Sequence, residues 1–281
     1  MKNVQSSRSH LTPGSTSDPA SSRGGIMRHR IRVAVLGSAL AVAATGFAAP
    51  GALAAAPGEV TIDKVTVNDG KPIALGTTAA KSFTVTVTAS DDSGIDSADV
   101  TLYGPDSAYA VPNGNVKCVA SPTSATTSTC TAKFTIDPDT DFFDNTPAGA
   151  WYVDAMVTAK DIDSIRVEKA AAFKVQRLSK LTVNASPEPI KKGKTLTVTG
   201  ALTRANWESG KYSGYTNQPA KLEFKKKGTT TYTAVKTVKT DNKGNLKTTV
   251  KASTDGSYRW SFAENSTTSA VKAAGDYVDV R

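Results

Sequence analysis

The stretch 181–204, LTVNASPEPIKKGKTLTVTGALTR, decides the fold of the chain. Apolar and polar residues alternate in two runs, and a segment with prolines, lysines and a glycine separates those runs. Alternation of period two is typical of a β-strand with one buried face, and a Pro- and Gly-containing segment between two such runs is typical of a turn. The stretch therefore predicts two consecutive strands, with lysines crowded into the turn between them.

The same alternation recurs along the chain on both sides of this stretch. Every second residue of WYVDAMV (151–157) is apolar, and Tyr258, Trp260 and Phe262 share one face of a later run. Turn signals such as Asn113-Gly114 separate the runs at intervals of about 8–15 residues. Outside the first 54 residues, no apolar helical period extends beyond two turns. The pattern predicts an all-β fold of two tandem immunoglobulin-like β-sandwich domains.

Residues 1–54 are predicted to be a disordered extension followed by a signal peptide. Met27 begins a basic segment, the apolar stretch 33–49 follows it, and small residues precede a cleavage site after Ala54. These are the three parts of a secretory signal. We expect Met27 to be the true start of an exported protein. The mature chain then has no transmembrane segment, because the apolar stretch is shorter than the roughly 20 residues of a span.

Two halves of opposite charge follow the leader. Residues 55–177 hold 10 Lys and Arg against 16 Asp and Glu, and residues 178–281 hold 18 against 8. An acidic domain, 55–177, is therefore predicted to precede a basic domain, 178–281. The basic domain is expected to prefer an extracellular anionic polymer or an acidic protein surface. The alternative is that both charged surfaces serve solubility alone.

Side chains for common catalytic chemistry are scarce after the leader. Both histidines, His10 and His29, lie within the first 54 residues, which excludes Ser-His-Asp and Cys-His arrangements and His-ligated zinc from the mature chain. Paired aspartates or a Ser-Lys dyad remain, without a specific signature, so we predict a protein that is not an enzyme. The two cysteines, Cys118 and Cys130, are predicted to form a disulfide across a hairpin, since exported proteins oxidise such pairs and the spacing differs from a redox-active Cys-x-x-Cys.

Two segments carry a resemblance to a known class of proteins. The stretch that begins at Leu181 resembles the start of immunoglobulin-like modules in secreted actinobacterial proteins, and FTVTVTASDDSGIDSADVTLYGP (83–105) resembles the second and third strands of bacterial immunoglobulin-like domains. The resemblance implies a β-sandwich and an extracellular location, and it supplies no catalytic residues. Some members of such families are thought to bind calcium, which is the one cofactor that we consider.

Clustered aspartates are the candidate calcium ligands. DPDTDFFDN sets four carboxylates close together, although Phe142 stands where an EF-hand loop needs glycine. The four are Asp137, Asp139, Asp141 and Asp144. Two further groups, which could share an ion if their loops converge at one end of a sandwich, are Asp91, Asp92, Asp96 and Asp99, and Asp161 with Asp163. The alternative is that these are turn aspartates, which hydrogen-bond to their own backbone.

An aromatic loop and a set of lysines are the candidate surfaces for a larger ligand. Trp207, Tyr212 and Tyr215 lie in ANWESGKYSGY (205–215), off the alternating pattern, and exposed rings of this kind bind sugars or peptides. The alternative is that Trp207 caps a sandwich core. The candidate lysines are Lys191, Lys192, Lys194, Lys225, Lys226 and Lys227. Their alternative role is to protect strand edges from aggregation.

The predicted function is that of a secreted, non-enzymatic binding or structural module at the cell envelope or in the extracellular space. Nucleic acid is not an expected partner, because the protein is exported. The alternatives are a secreted inhibitor of proteases or other enzymes, and a hydrolase that uses paired aspartates. The residues leave the ligand and the oligomeric state open.

Overall fold

A computed structural model describes residues 31–34 and 59–281. Its regular structure is almost entirely strand, with two short 3₁₀ turns at Asn68–Gly70 and Pro105–Ser107. The strands up to Arg177 are β1 (Ile31–Ala34), β2 (Thr61–Val67), β3 (Ile73–Leu75), β4 (Lys81–Ser90), β5 (Ile95–Tyr103), β6 (Tyr109–Ala110), β7 (Lys117–Ser121), β8 (Ser124–Ile136), β9 (Gly149–Ala159) and β10 (Ser164–Arg177). The later strands are β11 (Ser179–Leu181), β12 (Asn184–Ser186), β13 (Thr195–Asn206), β14 (Lys211–Gly214), β15 (Pro219–Lys226), β16 (Thr233–Lys239), β17 (Asn245–Lys251), β18 (Gly256–Phe262), β19 (Val271–Lys272) and β20 (Asp276–Val278). Within these ranges, no helix has the length and apolar character that a membrane span needs.

The strands before Leu178 form the first sandwich. One sheet has the order β2-β4-β8-β7, and the other has the order β10-β9-β5-β6, with β3 parallel to the end of β10. In chain order these sheets are the ABED and GFCC′ sheets of an immunoglobulin domain. The buried side chains of both sheets form one apolar cluster between them. The first module, residues 59–177, is therefore immunoglobulin-like.

The strands after Arg177 form the second sandwich. β13 pairs with β11 and β12 along one edge and with β17 and β14 along the other, while the facing sheet has the order β16-β15-β18, with β19 and β20 beside β18. The corresponding letters are ABE and C′CFG, which again is an immunoglobulin-like arrangement. Every sheet draws its strands from one side of Arg177. We retain the step from Arg177 to Leu178 as the proposed boundary of the second module, residues 178–281.

The period-two alternation of the sequence appears directly in the cores. Trp151, Val153, Ala155 and Val157 are all fully buried on one face of β9, as the pattern predicts. In the second module, Trp260 on β18 is fully buried, and its Nε1 donates a hydrogen bond to the carbonyl oxygen of Thr199. Burying these apolar faces supplies most of the free energy that holds each pair of sheets together.

The predicted disulfide is present. Cys118 on β7 and Cys130 on β8 lie directly opposite each other in the antiparallel register, and their sulfur atoms are bonded. Cys130 is fully buried in the first core. The bond therefore closes the β7–β8 hairpin, as the spacing of the two cysteines predicts.

One strand lies within the predicted leader. β1 runs parallel to the first four residues of β10, with Ile31 opposite Ser164 and Ala34 opposite Val167. The predicted start at Met27 and the predicted cleavage after Ala54 lie outside the described residues. Cleavage at that position would remove β1 and leave residues 164–167 of β10 without a partner on this edge, while β3 still pairs with residues 175–177.

Candidate binding surfaces

The aromatic loop 205–215 lies where the two modules meet. Trp207 directly follows β13 of the second module, yet its side chain packs in the core of the first module and is 3% exposed. Its ring centroid is 4.8 Å from that of Phe142, and its Nε1 donates to the carbonyl oxygen of Gly76 at 2.8 Å. This burial corrects the prediction that Trp207 is an exposed ligand-binding ring. The alternative, that Trp207 caps a sandwich core, agrees with this burial. That core, however, belongs to the first module and not to the module that contains Trp207.

We call the contact between the two modules the joint. Polar contacts there fix the position of one module relative to the other. Asn145 of the first module donates from Nδ2 to Oδ1 of Asn206 at 2.8 Å, and its own Oδ1 accepts the backbone N–H of Trp207 at 2.9 Å. The backbone N–H of Leu178 donates to the carbonyl oxygen of Leu75 at 2.8 Å. The two modules are thus joined by a buried ring and by directional hydrogen bonds, and not by a free linker.

The two tyrosines of the loop are half-buried and each ring is covered by a cation of the second module. The Nζ of Lys180 lies 3.7 Å from the ring centroid of Tyr212, and burial raises the pKa of the Tyr212 hydroxyl. The guanidinium of Arg204 lies 3.8 Å from the ring centroid of Tyr215, which also packs edge-on against Phe262. A ligand-binding role for either tyrosine stays a prediction.

Arg177 closes the joint as a buried cation. It is 8% exposed, and its Nε donates to the carbonyl oxygen of Ala205. Within residues 59–281, neither Arg177 nor Arg204 forms an ion pair with a carboxylate. Burial, and then repulsion from Arg204, lower the pKa of Arg177 to about 10. Arg177 therefore stays charged at neutral pH without a counter-ion.

The six candidate lysines converge at the end of the second module that points away from the joint. Thr195 at the start of β13 pairs with Lys251 at the end of β17, and Lys226 at the end of β15 pairs with Gly256 at the start of β18. The connection 252–255 therefore links the two lysine-bearing turns. The joint lies at the opposite end, where β13 reaches Trp207.

Hydrogen bonds tie both turns to that connection. The backbone N–H of Gly193 donates to the carbonyl oxygen of Ala252 at 2.7 Å, and that of Lys227 donates to the carbonyl oxygen of Asp255 at 2.9 Å. We call Lys191, Lys192, Lys194, Lys225, Lys226 and Lys227 the lysine end. Sequence reasoning found these residues but not their convergence.

Most of the charge of the lysine end is free. Lys227 pairs with Asp255 at 3.2 Å, and accepting the backbone N–H of Val280 lowers the pKa of the Asp255 carboxyl. Among the described residues no carboxylate pairs with the other members, and four of these, Lys191, Lys192, Lys194 and Lys226, are exposed. The result is an exposed positive surface that several segments build together.

Three of the four carboxylates of the loop 137–144 accept backbone N–H groups of their own loop. Asp137 accepts the N–H of Asp139 at 3.0 Å, Asp141 accepts the N–H of Asp137 at 2.8 Å, and Asp144 accepts the N–H of Thr146 at 2.8 Å. The side-chain hydrogen bond from Thr146 lowers the pKa of Asp144. Calcium binding at this loop stays a prediction.

A different set of carboxylates meets in space. In residues 59–281, the group of three that could hold a metal ion consists of Asp91, Asp92 and Asp161, with one oxygen atom of each within 4.8 Å of the others. Two of the acidic segments named from the sequence thus converge, although Asp96, Asp99 and Asp163 are not part of this group. We call the three residues the Asp91 site.

The hydrolase alternative needs two carboxylates across a cleft. A surface depression lined by residues 182–184, 199–200, 241 and 245–247 has one carboxylate in its lining, that of Asp241. Asp241 accepts the backbone N–H groups of Lys243 and Asn245, both at 2.8 Å, which lower its pKa. This depression therefore does not supply the pair of carboxylates that glycoside hydrolysis uses.

A comparison with protein families found a match over part of the chain. A model described as a family of unknown function (DUF5707) matches residues 72–157, which is less than half of the chain. No curated protein matches the sequence.

The comparison with solved structures found matches of low structural similarity, among them domains of bacterial adhesins. The D00-D0 domain of intimin is 16% identical, with 78% of this chain and 98% of that chain covered and a TM-score of 0.26. The Escherichia coli adhesin FdeC is 14% identical, with 75% and 64% covered and a TM-score of 0.30. A 1.5-MDa bacterial ice-binding adhesin is 12% identical, with 80% and 66% covered and a TM-score of 0.26. Scores this low do not establish a shared arrangement, so the immunoglobulin-like assignment rests on the strand pairings.

Proposed function

We propose that the protein is an exported, non-enzymatic pair of immunoglobulin-like modules that binds an anionic polymer of the cell envelope or the extracellular space. The observation that carries this proposal is the convergence of the lysine end. Three separate parts of the chain, the turn 191–194, the turn 225–228 and the connection 252–255, build it together.

Electrostatics favours a polymer with repeated negative charge as the ligand. Each exposed lysine contributes little alone, because water and salt screen it. Several lysines on one surface create a potential that attracts a polyanion at several points at once. The contact between the modules would also orient the first module. Because Trp207 of the second module is buried in the first core, the first module keeps a fixed orientation when the lysine end is bound.

Retention on immobilised dextran sulfate and on purified cell wall tests the proposal. We expect the protein to be retained at about 50 mM NaCl and released by about 0.5 M NaCl, because the Debye length falls from more than 10 Å to less than 5 Å over that range. Release that does not depend on salt, or no retention at low salt, would contradict it.

A matched pair of variants assigns the binding to one surface. The triple variant Lys191→Gln, Lys192→Gln and Lys194→Gln is expected to elute at markedly lower salt than the wild type. The control, Lys236→Gln, Lys239→Gln and Lys247→Gln, removes the same charge from exposed strand positions away from the lysine end. Equal losses in both variants would show that net charge alone is responsible, and would refute a dedicated binding surface.

A further inference from the structure

The Asp91 site lies at the end of the first module that points away from the second. Lys81 at the start of β4 pairs with Ile136, close to the joint, whereas Ser90 at the end of β4 pairs with Thr127. Asp91 follows Ser90 directly. The site is therefore at the opposite end of the protein from the lysine end, and it can be tested separately from the proposed function.

Two loops are fastened together at this point: one crosses between the two sheets, and the other joins neighbouring strands of one sheet. Asp91 and Asp92 lie between β4 and β5, and Asp161 lies between β9 and β10. The backbone N–H of Lys160 donates to the carbonyl oxygen of Gly94 at 2.9 Å, and that of Asp161 donates to Oγ of Ser93 at 3.3 Å. These bonds hold the three carboxylates near one another without the help of a ligand.

One oxygen of Asp91 is buried without a partner. Asp91 is 4% exposed, and its Oδ1 accepts hydrogen bonds from the backbone N–H and the hydroxyl of Ser93, at 2.8 and 2.6 Å. Its Oδ2 is the one buried side-chain nitrogen or oxygen of residues 59–281 that has no hydrogen-bond partner. A carboxylate oxygen that is buried without a partner destabilises the fold, because it has lost its hydrogen bonds to water. A cation beside Oδ2 of Asp91 would remove this cost.

The charge balance and the spacing both fit a divalent ion. Among residues 59–281, no lysine or arginine forms an ion pair with any of the three carboxylates. A dication would offset two of their three negative charges. Calcium binds oxygens at about 2.3–2.6 Å, so two of its ligands lie at most about 5 Å apart. The three carboxylate oxygens, which all lie within 4.8 Å of one another, are close enough to share one ion.

We propose that Asp91, Asp92 and Asp161 bind a calcium ion that links the β4–β5 loop to the β9–β10 loop. Asp91 supplies the buried oxygen that anchors the ion, the two exposed aspartates complete the protein ligands, and water fills the remaining positions. Calcium fits better than magnesium, because magnesium demands near-octahedral geometry at about 2.0–2.1 Å and gives up its water reluctantly.

Calorimetric titration of CaCl₂ into the purified protein, with an amide NMR titration in parallel, tests this site. We expect one ion per chain, a dissociation constant of about 0.1–1 mM, and at least about tenfold weaker binding of magnesium. The amides of Ser93 and Asp161 should shift on binding. Absence of heat and of amide shifts at about 10 mM calcium would overturn the proposal.

Three variants locate the ion. Asp161→Asn changes an exposed residue, so the fold should persist while the dissociation constant rises at least about tenfold. Asp91→Asn should have an equal or larger effect. The control, Asp139→Asn, changes the other acidic loop and should bind as the wild type does. Loss of binding in Asp139→Asn, or wild-type binding in Asp161→Asn, would refute the assignment.

Discussion

Replacing Trp207 with alanine should weaken the coupling between the modules while leaving the second module intact. The ring is 3% exposed and lies in the core of the first module. Burying an indole removes about 200 Å² of apolar surface from water. At about 25 cal/mol per Å², this burial contributes about 5 kcal/mol to the stability as an upper estimate. Replacing a buried Trp with Ala typically costs about 3–5 kcal/mol of stability. The lost hydrogen bond to Gly76 accounts for about 1 kcal/mol of that total.

Denaturant unfolding of Trp207→Ala in two contexts measures this effect. In the whole protein, the variant should lose about 3–5 kcal/mol of unfolding free energy. The single unfolding transition that the two modules share should then separate into two transitions. In the second module alone, residues 178–281, the same change should cost less than about 0.5 kcal/mol, because the ring then has no core to fill. Tyr109→Ala, at a ring that is 67% exposed, is the control for aromatic truncation. An equal loss in both contexts would refute the placement of Trp207 in the first core.

Three further changes probe the joint, the hairpin and the lysine end. Asn145→Ala removes two hydrogen bonds across the joint and should lower the free energy of unfolding by about 1–2 kcal/mol in a denaturant titration, whereas an unchanged value would mean that water replaces them. Serine at both Cys118 and Cys130 should cost about 3 kcal/mol in the same assay, since the bond closes a short loop, and a loss below about 1 kcal/mol would show that the unfolded hairpin is already ordered. The pKa of Asp255 is lowered from 3.8 in the folded protein, so its stabilisation is complete above the unfolded pKa and is lost as the pH falls through the folded one. The stability difference between wild type and Asp255→Asn should therefore shrink below about pH 4, and a difference that is constant between about pH 6 and pH 3 would contradict the assigned hydrogen bond.

Alternation predicted the strands well because burial on one face of a sheet is a local property of the sequence. The apolar positions in VTIDKVTV change from even numbers (Val60, Ile62) to odd numbers (Val65, Val67). The structure has a register shift between Ile62 and Lys64 in the β2–β4 pairing, where a β-bulge inserts one extra residue. The bulge keeps both halves of the strand facing the core.

Contacts between distant segments could not be predicted in the same way. The rings of the aromatic loop at 205–215 break the alternation, and on that basis the sequence predicts a recognition surface. Its Trp207 instead contacts the other module, and no local pattern specifies which core a ring enters. The one local signal is that Trp207 directly follows the end of a strand, where a large apolar ring is free to leave its own sheet.

The aspartates show the same limit. Asp137 and Asp141 are close in sequence, and that closeness lets their carboxylates accept backbone N–H groups of the same turn. Asp91 and Asp161 are far apart in sequence, and the sandwich brings them within reach of one ion. Spacing along the chain therefore favoured a single loop, whereas the group of three carboxylates combines residues of two loops.

Hydrogen exchange at the indole N–H of Trp207 in the intact protein tests the joint most directly. The account predicts slow exchange, comparable with the buried indoles of Trp151 and Trp260, because the Trp207 N–H is buried and bonded to Gly76 of the first module. Exchange at the rate of a solvent-exposed indole would contradict the insertion of Trp207 into the first core, and with it the fixed arrangement of the two modules.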